Sequence, residues 1–173
     1  KLNRKVKIIT VIFVAIFALN IFYLPKSSNA AFLTTNNISI PSIDLWQAPI
    51  IESKVIKGIG NHIWRRPNTS RPDIGSNTAF AGNRIVTKGG WRKGIFYRLP
   101  EVKIGDKINV KWGDKVYNYT VYSKEIVSPK KVQEEFGTKD PIITLYTCVY
   151  TLHGKDRIVI KARLDVPSPV VTP

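Results

Sequence analysis

Residues 142–164 read IITLYTCVYTLHGKDRIVIKARL. Two runs rich in Ile, Val, Leu, Thr and Tyr, 142–149 and 157–164, flank a polar stretch, and that composition is what buried strands are made of. Cys148, the single cysteine of the chain, stands at the end of the first run, and Arg157 opens the second. If the two strands pair, the loop over 149–156 returns Arg157 beside Cys148. A thiol reacts as its thiolate, which nearby positive charge favours. A guanidinium at that place also suits a developing oxyanion. A lone cysteine without such company reads instead as a buried, inert thiol.

Outward from this stretch the pattern stays β. Residues 107–111 and 115–127 alternate apolar and polar around Gly113-Asp114, a hairpin signal. Residues 77–81 form a short apolar run after Gly75. Helix signals are few. Ser128-Pro129 ahead of 130–136 supplies an N-cap and a proline for the first helical position, predicting a short helix. Residues 95–99 suit a single helical turn. Many short strands with turn-rich joins predict an all-β barrel or sandwich. The tail 166–173 holds three prolines and carries no pattern.

Three segments stand out together: NTAFAGNR at 77–84, TLYTC at 144–148 and RIVIKARL at 157–164. In this combination the chain resembles the sortases, membrane-anchored cysteine transpeptidases of the bacterial cell surface. TLYTC, followed nine residues later by an arginine that opens an apolar strand, is similar to the family signature. AFAGNR stands where the family has a segment ending in AGHR. RRPNTSRPDIGSNT at 65–78, GIFYRL at 94–99 and the Gly105-Asp106 turn fit as well. The resemblance spans residues 56–164 and does not fix the sortase class, although classes D, E and F are nearest in pattern.

The resemblance implies an eight-stranded sortase-type β-barrel with short helices, preceded by a transmembrane helix. It implies that Cys148 attacks a backbone carbonyl within an LPxTG-like C-terminal sorting signal. A thioacyl enzyme forms, and an amine from a peptidoglycan stem peptide or a pilin lysine resolves it. Arg157 would steady the substrate or its oxyanion, and Thr147, Arg84 and His153 are candidate substrate contacts, Arg84 being also a candidate partner for Asp73. No cofactor and no metal are implied.

One position departs from the family. Its histidine falls at Asn83. An imidazole donates and accepts protons near neutral pH, whereas a carboxamide only hydrogen-bonds. An ordinary thiol is ionised to only about a few per cent at pH 7, so the loss of an imidazolium neighbour matters. Three explanations stand: a residue exchanged to quiet an active enzyme, a barrel that binds sorting signals without cleaving them, or another group in the histidine's role. His153, in the loop between Cys148 and Arg157, is the candidate substitute, and His62 the second.

Composition bounds the rest. One cysteine excludes an intramolecular disulfide, and with two histidines it leaves too few ligands for a four-ligand Cys/His zinc site. The formal net charge is +15, of which Lys1, Arg4, Lys5 and Lys7 carry four ahead of a hydrophobic run, leaving +11 on the rest. Such a balance suits nucleic acid, an anionic membrane or an anionic cell wall. Residues 8–24, IITVIFVAIFALNIFYL, are nearly free of polar side chains and follow a basic flank. They read as a membrane anchor with its N-terminus inside, or as a signal peptide ending near Ser28-Asn29-Ala30. Both export the remainder, so nucleic acid is not an expected partner and the catalytic domain is expected outside the membrane. The expected organisation is anchor and flank over 1–26, linker over 27–42, barrel over 43–165 and tail over 166–173. Trp64, Trp91 and Trp112 read as packing or as groove lining. Arg65, Arg66 and Arg71 read as a solvated basic loop or a contact for a wall polymer.

Overall fold

The computed structural model describes residues 36–165, except 55–59, 88–89, 91 and 152–153. The expected anchor, most of the linker, the tail, Trp91 and His153 lie outside the described residues. Among the described residues, no helix is long and apolar enough to cross a membrane.

Among the described residues, ten strands run in chain order: β1 (Asn37–Ile40), β2 (Leu45–Glu52), β3 (Ile63–Arg65), β4 (Thr78–Ala81), β5 (Ile85–Val86), β6 (Arg92–Lys93), β7 (Lys107–Trp112), β8 (Lys115–Val127), β9 (Ile142–Thr151) and β10 (Gly154–Leu164). Eight of them close a barrel in the order β1-β2-β3-β4-β9-β10-β8-β7, and β5 pairs with β6 apart from it. The expected all-β eight-stranded barrel is thus the observed architecture. Strand β1 lies inside the stretch read as linker. Ile38 and Ile40 alternate into the core with no exposed surface, and β1 pairs with both β2 and β7, so these residues close the barrel.

Side-chain alternation decides what each face does. On β9, Ile143, Leu145 and Val149 point inward, and on β10 Ile158, Ile160 and Ala162 do the same, meeting Phe80 of β4 in the main core. Tyr146 and Val159 face outward, where they form a second apolar cluster with Trp64, Ala81 and Val132. Val132 belongs to the 3-10 helix Lys131–Phe136, which covers this outer face. Burial on both faces explains why 142–149 reads as a near-continuous apolar run.

The helix predicted over 130–136 is therefore present as a 3-10 segment, with Lys130 as its cap and no side-chain cap bond. Ser128 enters through its carbonyl, which accepts from the Lys131 N–H at 3.1 Å. The turn expected at 95–99 leads into another 3-10 segment, Leu99–Glu101. The 107–127 hairpin forms as read, with Gly113 at φ 58°, the positive value a tight primed turn needs at its first position.

Candidate functional site

The connection between β9 and β10 is shorter than the sequence suggests. The ladder continues to Thr151 opposite Gly154, so most of the expected loop is strand. Pairing from that end sets Arg157 directly opposite Cys148. Both belong to the outward-facing sets of their strands, and directly opposed residues hold their Cβ atoms roughly 5 Å apart. Cys148 is half-buried and in the free thiol state. One terminal nitrogen of Arg157, Nη1, donates to the Asp156 carbonyl at 3.0 Å and to the Lys155 carbonyl at 3.3 Å. The guanidinium is thereby tethered to its own strand while its other donors remain for the groove.

Cys148, Arg157 and Asn83 line one groove of about 200 Å³ on the outer face of the barrel. Its far wall is formed by Pro129, Val132 and Gln133, in and just ahead of the 3-10 helix. The parallel β4–β9 pairing, Ala81 opposite Tyr146, delivers the residues after β4 to the end of β9 where Cys148 lies.

Two bonds fix that delivery. The Gly82 N–H donates to the Tyr146 carbonyl at 3.3 Å, and the buried Thr147 hydroxyl donates to the Gly82 carbonyl at 2.7 Å. Thr147 therefore borders the groove but commits its hydroxyl to the backbone that carries Asn83. Two glycines make the turn possible. A Cβ on Gly82 would stand 2.5 Å from the Phe96 ring, and one on Gly94 would stand 2.2 Å from the Asn83 carbonyl oxygen. That oxygen accepts from the Phe96 N–H at 3.0 Å. The Asn83 carboxamide donates from Nδ2 to the Gly60 carbonyl at 2.9 Å.

The remaining candidates separate from this group. Arg84 is half-buried, its Nε is enclosed without a hydrogen-bond partner, and it does not line the groove. Asp73, read as a partner for Arg84, pairs with Arg71 at 3.3 Å. His62 is exposed and is not among the residues lining the groove. Trp64 is buried in the outer cluster, its indole N–H donating to the Ser53 carbonyl at 2.9 Å, and Trp112 is buried in the main core.

Two further groove residues lie inside the segments that carry the resemblance, which assigns them no role at the groove. Tyr146 lies two residues before Cys148 on the same face of β9, a position that period-2 alternation marks. Arg66 enters the groove and donates to the Tyr146 hydroxyl at 3.0 Å. Its neighbours in the basic loop do otherwise. Arg65 pairs with Glu52 and donates to the Thr69 carbonyl at 3.1 Å, while Arg71 pairs with Asp73.

A thiol facing a guanidinium in an open groove on a closed barrel is an arrangement suited to acyl chemistry. Known proteins agree on the class. The profile of the Sortase domain matches residues 38–165. Sortase A of Bacillus anthracis is 31% identical over 129 residues, covering 73% of this chain; the chain spans 58% of that relative's length. Among solved structures, the Clostridium perfringens sortase D5 transpeptidase superposes with a TM-score of 0.61 at 22% identity, covering 76% of this chain and 79% of the other. Sortase A of Corynebacterium diphtheriae, as a lid mutant, reaches 0.65 at 22% identity, covering 79% and 72%. A pilus-related sortase C of group B Streptococcus reaches 0.65 at 20% identity, covering 77% and 68%. The chain belongs to the sortase family, whose members are cysteine transpeptidases.

Proposed function

We propose that this chain is a surface-anchored transpeptidase that cleaves an LPxTG-like sorting signal through Cys148 and passes the acyl group to an amine, with activity reduced by Asn83. The pairing of Cys148 with Arg157 across the β9–β10 ladder, in a groove open to a peptide, is the observation that carries this reading. The Cys148 sulfur attacks the carbonyl carbon; a C–S bond forms and the scissile C–N bond breaks. Arg157 offers N–H donors to the oxygen on which negative charge develops. The leaving amine needs a proton, which an imidazolium would give and the Asn83 carboxamide cannot, so water supplies it slowly. An amine nucleophile, from a peptidoglycan stem peptide or a pilin lysine, then forms a C–N bond as the C–S bond breaks, loses a proton to water and releases the thiolate.

Residues 8–24 as an anchor would hold the barrel on the outer side of a bacterial membrane, within reach of both the sorting signal and the wall.

A second reading is supported by Asn83 itself. A barrel with this groove and no acid–base residue at position 83 would bind sorting signals, or scaffold surface proteins, without turning them over. The two readings part in one experiment. The chain is offered a library of LPxTG-like peptides with an amine acceptor, and its intact mass is followed beside Asn83→His and Cys148→Ala. An acyl adduct absent from Cys148→Ala supports the transpeptidase. Peptide binding without any adduct, in both the chain and Asn83→His, supports the binding module.

A further inference from the structure

Among the residues lining the groove, Arg66 and Arg157 are guanidiniums and none is a carboxylate. Arg66 is held in place by its surroundings. Its guanidinium carbon lies 5.2 Å from the Phe136 ring centre and 6.0 Å from that of Trp64, and Nη1 donates to the Tyr146 hydroxyl at 3.0 Å. Stacking on aromatic faces and one anchoring bond orient the fork while leaving most of its five donors unused. The Tyr146 oxygen accepts from Arg66, so its own proton remains to be donated. The other two arginines of this loop are neutralised by Glu52 and Asp73, whereas none of the ion pairs among the described residues involves Arg66.

A positioned guanidinium beside a phenol proton, in a partly desolvated groove, matches a carboxylate. Because Arg65 and Arg71 are already paired, the loop offers one focused cation and not a stripe of charge for an anionic polymer. Tyr146 and Cys148 are two residues apart on one face of β9, with Cα atoms roughly 7 Å apart, so the two subsites adjoin in the same groove. We infer that Arg66 and Tyr146 form a carboxylate-binding subsite, so that the peptide taken by this groove carries an Asp or Glu side chain close to the carbonyl presented to Cys148. The inference rests on the reading of the groove as a peptide site.

The test uses the full chain in detergent as Cys148→Ala, which binds without acylation. Fluorescent LPxTG-like peptides carry Glu or the isosteric Gln at each position in turn, and affinity is read by anisotropy. At one position Glu binds about tenfold or more tighter than Gln, the scale of a charge-assisted hydrogen bond. That preference disappears in Arg66→Gln, survives in part in Arg66→Lys, and weakens with salt. Equal affinity for Glu and Gln at every position overturns the subsite while leaving the peptide groove intact. A preference that persists in Arg66→Gln but vanishes in Arg157→Gln overturns it too. So does Arg66-dependent binding of a glycerol-phosphate oligomer without any Glu preference. Failure to bind every peptide, together with no adduct on Cys148 in the unaltered chain, overturns the peptide-groove reading and the subsite with it. The Glu–Gln comparison in the parent protein needs no Arg66 variant to fold.

Discussion

The Thr147 hydroxyl reaches across to the Gly82 carbonyl, 65 residues away in sequence, at 2.7 Å. This bond joins the residue before Cys148 to the residue before Asn83, so it sets how the two sides of the groove face each other. Thr147→Val keeps the shape but leaves a buried carbonyl without its partner, at a cost of about 1–3 kcal/mol. Urea unfolding reads that loss, and Thr147→Ser recovers most of it. A Val variant as stable as the parent would mean the bond positions nothing.

Gly94 meets the Asn83 backbone so closely that an added methyl carbon would stand 2.2 Å from its carbonyl oxygen. Backbone cannot rotate away as a side chain can, so Gly94→Ala displaces residue 83 or the 94–96 turn. A destabilisation of about 1–3 kcal/mol is expected, the range for overpacking. In the Asn83→His background the same change lowers acylation as well, because the imidazole moves. Calorimetry and adduct formation measured together check both parts.

Arg157 carries donors in a planar fork that a lysine cannot reproduce. Arg157→Lys keeps the charge beside Cys148 but loses the fork, and acylation falls by about 10²–10³-fold. The fold is unaffected, since Arg157 is half-exposed and its bonds are to its own strand. Circular dichroism alongside adduct kinetics separates the two effects.

Acid stability has an identifiable source at the far end of β10. The Asp165 carboxyl is held below its ordinary pKa by the Thr120 hydroxyl, opposed by burial and helped by a bond from Lys107 and its charge. The bonds measure 2.5 Å from Thr120 and 3.0 Å from Lys107. A carboxyl with a depressed folded-state pKa stabilises the fold above its unfolded value of 3.8 and loses that contribution as pH falls through the folded value. Melting temperature therefore drops below about pH 4, and Asp165→Asn lowers it near neutrality while flattening the acid limb. An unchanged acid limb in Asp165→Asn would assign the acid loss to other carboxylates.

Much of the barrel was legible because period-2 alternation and turn chemistry agree in it. The 107–127 hairpin follows from alternation around Gly113-Asp114, and the place of Cys148 next to Arg157 follows from two strands that have few other ways to pair. The strand β1 was not legible. Two isoleucines in a polar stretch carry too little pattern, and only closure of the barrel against β2 and β7 makes them core. The 3-10 character of Lys131–Phe136 was likewise hidden: the Ser128-Pro129 signal marks a helix start but not its type, and the segment carries no side-chain cap bond while Val132 and Phe136 pack on the outer face. Arg66 resembled Arg65 and Arg71 in sequence. Two long-range partners, Tyr146 for Arg66 and Glu52 for Arg65, set these apart from Arg71, which pairs with Asp73 two residues on, and no local pattern encodes the long-range pair.

The most direct measurement is the rate of acyl adduct formation on Cys148, by intact mass, in the chain and in Asn83→His with LPxTG-like peptides. A slow adduct is expected in the chain and a rate higher by about 10²–10⁴-fold in Asn83→His, the range of general acid–base catalysis, with none in Cys148→Ala. Adduct formation that is equally fast in both, or that survives in Cys148→Ala, would contradict that expectation.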